Sequence, residues 1–366
     1  MSKINVNTWE PESGTDLTLG ASGDTVTIPS GATINCRRPS NALINGDMRV
    51  AQRGTSFTAS DNNDDVYTLD RWLLLSDGND IVDVTQQSSG GTSGESQYIR
   101  LDVETTAKKF GICQIIETKN CRDLIGQSAS ISFDAKVTNA SKLSDIRAVV
   151  LAWNHTADTV TSDVVSAWGA EGSNPTFATN WTAENTAANL SVTTSWVNYK
   201  IENISIDTSS ANNVAILIWQ NNVATNDTAG IFLEVSEVKL EAASTASPFE
   251  YNTYTQELHD CERYYQTYAS GFFGYVITTS IIDAGFSFRQ RMRASPSVTL
   301  LDDSPTFNEQ NTANRTGSSS SITTSANYPD GTGMVRIDGF GGAATLNKVA
   351  IGYNGSTDML GFDAEL

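Results

Sequence analysis

Short apolar segments recur along most of the chain, and polar turns rich in Gly, Ser, Thr and Asn separate them. In several segments apolar and polar residues alternate, as in Ile81–Val84 and Tyr98–Leu101. A period of two is the pattern of β-strands. We therefore predict an all-β protein with a two-sheet jelly roll over residues 39–250. Further strand candidates in it are Ala129–Phe133, Ala148–Trp153, Tyr199–Ile201, Ala215–Trp219 and Ile231–Val235.

The first 38 residues differ from the segment that follows. Leu17–Leu19 and Thr25–Ile28 read as two short strands, separated by the polar turn Gly20–Asp24. Two strands are too few for independent stability. We predict an extended β segment that borrows a core from other copies or another protein, with a disordered lead-in as the alternative.

A short helix is predicted to connect the jelly roll to a second sandwich. Thr253 and Gln256 form a capping-box pattern, and Leu258, Cys261, Tyr265 and Tyr268 recur at helical spacing. Residues 251–270 are therefore predicted to be a helical connector. Strands are expected again in the C-terminal β-sandwich, residues 271–366, at Phe286–Phe288, Ser297–Leu300, Met334–Ile337 and Val349–Tyr353.

Composition narrows the possible partners. The chain of 366 residues, 39% of them hydrophobic, is long enough for two ordinary cores. Its formal net charge of −19 repels phosphate backbones, so we expect no nucleic-acid partner. No secretion signal or apolar run of membrane-spanning length is present, which predicts synthesis in the cytoplasm and no membrane insertion.

The residues that usually carry catalysis or metal binding give weak signals. The two histidines, His155 and His259, have no recognisable spacing to a nucleophile, and motifs such as HExxH and GxSxG are absent. Carboxylates are abundant, so a glycosidase pair stays open, but we predict no enzyme and no cofactor. The four cysteines, Cys36, Cys113, Cys121 and Cys261, lack CxxC spacing and are predicted to be free thiols, with a Cys113–Cys121 bridge as the alternative.

One turn offers oxygen ligands at alternate positions, as a calcium loop does. Asp61, Asn63 and Asp65 are the candidates, but Val66 stands where the sharp turn favours Gly. A solvated turn is the favoured interpretation, and structural Ca²⁺ is the alternative.

Tryptophans supply the candidate ligand site. An exposed indole stacks on a sugar ring while neighbouring polar groups orient the hydroxyls. Trp153 and Trp219 end apolar strands and are predicted to be core. Trp168 and Trp181 lie in the long irregular insert 167–189, so we predict ligand contact there, with Asn154 and His155 as polar candidates and loop anchoring as the alternative.

Three motifs, in order, resemble bacteriophage tail-fibre and virion-appendage proteins. The first runs from Asn41-Ala-Leu-Ile-Asn-Gly-Asp47 through Gln52–Ser56 to Leu69-Asp-Arg-Trp72. The second is Val238–Glu241 followed by Ala246–Glu250, and the third is Cys261-Glu-Arg-Tyr-Tyr265 with Arg289–Thr299. Met48 and Ala51 stand where the family more usually has an aromatic pair.

The resemblance implies a carbohydrate-binding-like jelly roll on a virion appendage, attached to other phage proteins through residues 1–38. It implies that the protein is located in the virion and binds a host cell-surface glycan without turnover. Alternatives are a polysaccharide-degrading tailspike and a head or tail decoration protein. We also predict a homotrimer, because residues 1–38 and the tyrosine-bearing face of the predicted helix lack partners within one chain.

Overall fold

A computed structural model describes residues 41–208, 211–302, 304–310, 314–317, 321–327, 332–340, 344–353 and 358–366. The predicted attachment segment lies outside these ranges. Residues 40–366 belong to one compact unit. Its described part is nearly all β, with one short α-helix, which confirms the predicted fold class. The domain boundaries near residues 250 and 270 stay predictions.

Fourteen strands precede the helix in the described part of the chain. In chain order they are β1 (Ser56–Phe57), β2 (Val66–Tyr67), β3 (Leu73–Ser76), β4 (Val82–Gly90), β5 (Ser96–Val103), β6 (Phe110–Ile116), β7 (Ser128–Val137), β8 (Ile146–Trp153), β9 (Val165–Ala167), β10 (Thr176–Phe177), β11 (Trp181–Ala183), β12 (Val197–Ser205), β13 (Asn213–Gln220) and β14 (Phe232–Glu241). Two 3-10 turns, Ala59–Asn62 and Thr118–Asn120, lie between them.

Two six-stranded sheets pack face to face. Sheet 1 has the order β1-β4-β5-β14-β7-β12, sheet 2 has the order β11-β8-β13-β6-β3-β2, and β9 pairs with β10. The core between the sheets takes alternate residues from each, including Leu101, Phe133 and Val235 from sheet 1 and Phe110 and Ile218 from sheet 2. All neighbouring strands in these two sheets are antiparallel, as in a jelly roll.

The two sheets differ on their outer faces. Sheet 2 is apolar on both sides, because the runs Val149–Trp153 and Val214–Trp219 are almost continuously hydrophobic. A second apolar cluster covers its outer face and includes Leu151, Leu217 and Trp219 from the sheet. Strands of sheet 1 alternate apolar and polar residues instead, so their outward side chains are polar.

Beyond the jelly roll, the chain forms α1 and ten further strands in the described ranges. They are α1 (Tyr254–Glu262), β15 (Tyr265–Tyr268), β16 (Ser270–Thr278), β17 (Ile281–Ser287), β18 (Ser297–Leu300), β19 (Thr306–Glu309), β20 (Asn314–Thr316), β21 (Ser321–Asn327), β22 (Thr332–Asp338), β23 (Val349–Tyr353) and β24 (Leu360–Asp363). Sheet 3 has the order β15-β24-β18 and sheet 4 the order β20-β19-β23-β16-β17-β22-β21. Their shared core includes Phe286, Phe307 and Phe362.

The helix begins as predicted and ends earlier. Thr253 is the N-cap and its hydroxyl accepts the backbone N–H of Gln256 at 3.3 Å, but the Gln256 side chain donates to Asp260 instead of closing a capping box. Tyr265 and Tyr268, predicted on the helix face, lie in β15, where pairing with β24 satisfies the backbone. Tertiary strand pairing has overridden the helical spacing, and the argument for a trimer from an unpartnered tyrosine face is wrong.

The opening motif, within residues 41–72, forms a network of buried hydrogen bonds. Asn45 is buried and its side-chain amide bonds both backbone groups of Val50 and the carbonyl of Asp70, each at 2.9 Å. Its own carbonyl accepts the indole N–H of Trp72 at 2.8 Å. Asp70 accepts the backbone and side-chain N–H groups of Gln52, both at 2.6 Å. Burial raises the pKa of Asp70 despite these bonds.

The same motif holds the two sandwiches together. Arg71 forms a buried ion pair with Glu365 and lies over the ring of Tyr264, 3.6 Å from its centroid. Arg53 bonds Asp363 at 2.8 Å. Residues far apart in the sequence motifs therefore meet at one interface. Cys113, Cys121 and Cys261 are buried free thiols near or within the cores.

Candidate functional site

The insert that carries the predicted tryptophans lies on the outer face of sheet 2. Trp168 is 8% exposed and Trp181 6%, and both belong to the apolar cluster on that face. The Trp181 ring lies 5.3 Å from that of Trp153, a predicted core residue that is also buried. This burial favours the loop-anchoring interpretation, because an indole packed in a core offers no open face to a sugar.

The two polar candidates lie at the edge of the same cluster. Asn154 and His155 are exposed, and the His155 ring is 6.0 Å from the Trp153 ring in an edge-on arrangement. The backbone carbonyl of His155 accepts the Asn212 amide at 2.7 Å. They therefore adjoin Trp153 and Trp181 around the loop that follows β8.

A buried ammonium group fixes the insert. Lys109 is fully buried, and its Nζ donates to the carbonyls of Trp168 (3.0 Å), Ala170 (2.8 Å) and Ser173 (2.8 Å). On the same loop Glu171 accepts the backbone N–H groups of Val223 and Ala224. All three donors of the ammonium are used, so the loop is held as part of the fold.

The calcium candidates remain a prediction. Asp61 is exposed at the 3-10 turn, and Asp65 has a left-handed backbone with φ of 61°. Burial, followed by the charges of Asp64 and Asp163, raises the pKa of Asp65 to about 6. Within the described ranges, no group of three or more His, Cys, Asp or Glu side chains is arranged to hold a metal ion.

The outward face of sheet 1 carries polar and aromatic residues of β5, β7 and β14 and of the segment just before β12. We call this the polar face, and define it by Tyr98, Arg100, Asp134, Lys136, Trp196, Phe232, Glu234 and Ser236. Strand register sets them in rows: Arg100 and Lys136 flank Glu234, and Asp134 lies opposite Ser236. These positions alternate with core residues such as Ile99, Leu233 and Ala135, so the pleat points them away from the core.

An ion network forms the centre of the polar face. Glu234 is only 1% exposed and bonds Arg100 at 2.6–2.7 Å and Lys136 at 2.9 Å. Although burial lowers it, the hydrogen bond and charge of Glu234 raise the pKa of Arg100 above its ordinary value. Two cations meet at one carboxylate, and their partly exposed N–H groups can also donate to a ligand.

Aromatic rings flank that centre. Tyr98 and Trp196 meet edge-on with ring centroids 5.2 Å apart, and Lys136 Nζ lies 5.1 Å from the Trp196 ring. On the other side, the Arg100 guanidinium lies 4.5 Å from the ring of Phe232. Trp196 and Phe232 are half-buried, so each keeps part of its ring open to solvent.

Two carboxylates on this side of sheet 1 are already engaged. Asp134 is buried and accepts the backbone N–H of Thr92 at 2.5 Å. Glu237, at a bulge with φ of 50°, accepts hydroxyls from Ser96 and Tyr251, both at 2.6 Å. The hairpin tip between β4 and β5 lies on both of them: a Cβ added at Gly91 would be 2.5 Å from Glu237 Oε1 and 3.3 Å from Asp134 Oδ2.

The sequence analysis did not single out Trp196 or the other residues of the polar face. The signal was present in Ser128–Val137, where every second residue is apolar and the intervening ones include Asp134 and Lys136. Strict alternation identifies a strand with one polar side, and here that side is itself largely buried: Ser130, Ser132 and Asp134 are at most 3% exposed. Continuous apolar runs such as Val149–Trp153 identify a strand covered on both sides.

Comparisons with known proteins give fold likenesses only. No family model and no curated protein matches the chain. Similar solved structures include the enzymatically active domain of tailspike protein 4 from bacteriophage CBA120 (TM-score 0.33, 15% identity, 55% of this chain and 21% of that one). Others are a CBM22 tandem domain from Paenibacillus barcinonensis (0.32, 8%, 91% and 98%) and the baseplate tripod of bacteriophage Tuc2009 (0.25, 10%, 87% and 91%).

Phage tail proteins and carbohydrate-binding domains are thus among the structures similar to this chain. The chain covers about a fifth of the tailspike domain. Because these TM-scores lie below 0.5, we base no functional conclusion on them. No helix among the described residues is long and apolar enough to cross a membrane.

Proposed function

We propose that this protein is a bacteriophage tail-fibre or appendage protein whose jelly roll binds a host surface saccharide on the polar face, without turnover. The observation that carries the binding proposal is the half-open ring of Trp196 beside the Arg100–Glu234–Lys136 network. An aromatic ring supplies an apolar platform for a sugar ring, and neighbouring N–H groups orient its hydroxyls. The virion location rests on the three sequence motifs.

The proposal of binding without turnover is supported at two of the carboxylates on this side of sheet 1. A glycosidase needs two carboxyl groups free to meet the scissile bond. Asp134 and Glu237 are instead bonded to Thr92, Ser96 and Tyr251. Burial and the bond to Glu237 raise the pKa of Tyr251, which keeps its hydroxyl a donor.

We further propose attachment to the particle through residues 1–38 and assembly as a homotrimer. Several copies held together would raise a modest single-site affinity through avidity. Single-site affinity is expected to be modest because the exposed part of the polar face, at Arg100, Lys136 and Trp196, offers little area to a ligand.

The test of the binding proposal is Trp196→Ala, with Tyr254→Ala as the matched control. Tyr254 is an exposed aromatic on α1, outside the polar face. On an array of bacterial surface polysaccharides, we expect Trp196→Ala to weaken binding about tenfold and Tyr254→Ala to leave it unchanged. Unchanged binding by a folded Trp196→Ala protein would contradict the site. Release of reducing ends from the bound polysaccharide would contradict binding without turnover.

A further inference from the structure

The terminal sandwich exposes apolar side chains on one face of sheet 4. We call this the apolar face and define it by Phe273, Tyr275, Met334, Val349 and Ile351, which are 42–66% exposed. Their neighbours in sequence Val335 and Ala350 point to the core between sheets 3 and 4, and a Cβ added at Gly274 would meet Ile282 of the same core. The apolar face is therefore the outer side of sheet 4.

Strand register joins these side chains into one surface. Phe273 lies opposite Ile351 on one side and Gly285 on the other, and Gly285 lies opposite Met334. In the next row Tyr275 lies opposite Val349. Four adjacent strands, β23, β16, β17 and β22, thus carry a continuous patch.

The patch contains a projection beside a recess. Phe273 is 66% exposed, the largest value among the exposed large hydrophobic residues of the described chain. At Gly285 an added Cβ would meet no atom nearer than 4.0 Å, the carbonyl oxygen of Phe273, so no ring covers this position. Around a three-fold axis each copy can place its projection in the recess of the next, which is a heterologous contact between two parts of this face.

Charge and area also suit a second copy of this chain. The charged residues beside the patch, Asp283 and Arg336, pair with each other through two contacts of 2.8 and 2.9 Å. Burying the face therefore leaves neither of these two charges without its partner, although each chain has a net charge of −19. The five side chains expose on the order of 500 Å², about the apolar share of a standard interface of roughly 800 Å² per partner.

We infer that the apolar face of sheet 4 is the surface through which copies of this chain associate. The inference rests on the assembly into several copies proposed above and replaces the helix tyrosines as its basis. The subunit contact then lies on β23, β16, β17 and β22, and the polar face of sheet 1 can still bind saccharide.

The test compares Phe273→Asp with Tyr254→Asp in the full-length protein by sedimentation velocity at micromolar concentrations. Both variants add one carboxylate at an exposed aromatic position, but Tyr254 is outside the patch, at the start of α1. We expect Phe273→Asp to weaken self-association by at least about 30-fold and Tyr254→Asp to leave it unchanged. Thermal melting checks that both are folded.

A second variant covers the case in which Phe273→Asp does not fold. Gly285→Tyr fills the recess with a residue that favours strands and adds apolar area. If projection and recess interlock, this variant also loses self-association; if it associates as well as or better than the wild type, the proposal is wrong. A monomeric wild-type protein would overturn both the trimer and this interface. An unchanged oligomer of folded Phe273→Asp would overturn the interface alone.

Discussion

The two outer faces of the jelly roll differ in polarity, although both belong to six-stranded sheets that share one core. The outer face of sheet 2 is apolar and is covered by the insert 167–189. Hydrogen bonds from Lys109 and to Glu171 hold this insert in place. The outer face of sheet 1 is polar, and its central carboxylate, Glu234, is neutralised by two cations. Tryptophans occur on both faces, with opposite consequences.

Whether an aromatic residue is exposed depends on the sheet that its strand joins. Trp181 follows a loop rich in Gly and Asn, which suggested exposure, but its strand β11 pairs with the apolar β8. Trp196 precedes β12, the edge strand of the sheet whose outward residues are polar. The local sequence is therefore a poorer guide to ligand contact than the sheet that the residue joins.

The largest expected effect comes from truncating a tryptophan on the covered face. Trp181→Ala removes an indole from a packed cluster and should lower the free energy of unfolding by about 3–5 kcal/mol. Trp196→Ala removes a half-buried ring and should cost about 1 kcal/mol. Urea denaturation of the two variants measures the difference. Similar losses in both would show that the two faces are equally part of the core.

A smaller loss of stability is expected when the hydrogen bonds from Lys109 to the insert are removed. Lys109→Met keeps the apolar stem and leaves three carbonyl groups without their donor, which should cost about 2–4 kcal/mol. Lys108→Met is the control, because Lys108 makes only a surface pair with Asp77 at 3.3 Å, worth less than about 1 kcal/mol. Limited proteolysis should cut the loop near Glu171 faster in Lys109→Met alone. Equal cleavage of both variants would contradict the role of Lys109.

Much of the fold could be predicted from local pattern. The strands Ser297–Leu300 and Val349–Tyr353 have their predicted bounds, and the N-cap is at Thr253 as expected. Pattern failed where distant segments decide the outcome. Helical spacing at Tyr265 and Tyr268 was overridden by pairing with β24, almost a hundred residues later.

The candidate site was less predictable for the same reason. Arg100, Lys136 and Glu234 come from three strands whose neighbours in space are set by the sheet order β5-β14-β7. Alternation shows that each strand has a polar side, but it does not say which strands lie side by side. The ion pair between Arg71 and Glu365, which are 294 residues apart, likewise cannot be predicted from local pattern.

The smallest expected effect concerns Asp65, at the edge of sheet 2. Asp65 lies beside β2, the edge strand of sheet 2, and its pKa of about 6 reflects burial first and then repulsion from Asp64 and from Asp163, which lies just before β9. The folded state therefore holds this proton more tightly than the unfolded state, whose carboxyl has the ordinary value near 3.8.

Between these two values the folded state binds more protons, so the stability contributed by Asp65 rises as pH falls from about 7 towards 4 and is lost as pH rises through 6. Asp65→Asn removes this titration and should flatten the pH dependence of the melting temperature, with a gain on the order of 1–2 °C at pH 8. Asp61→Asn, at an exposed carboxylate of the same turn, should leave the slope unchanged. Calorimetric melts from pH 5 to 8 measure the slopes. Parallel curves for Asp65→Asn and wild type would contradict the raised pKa of Asp65 at the edge of sheet 2.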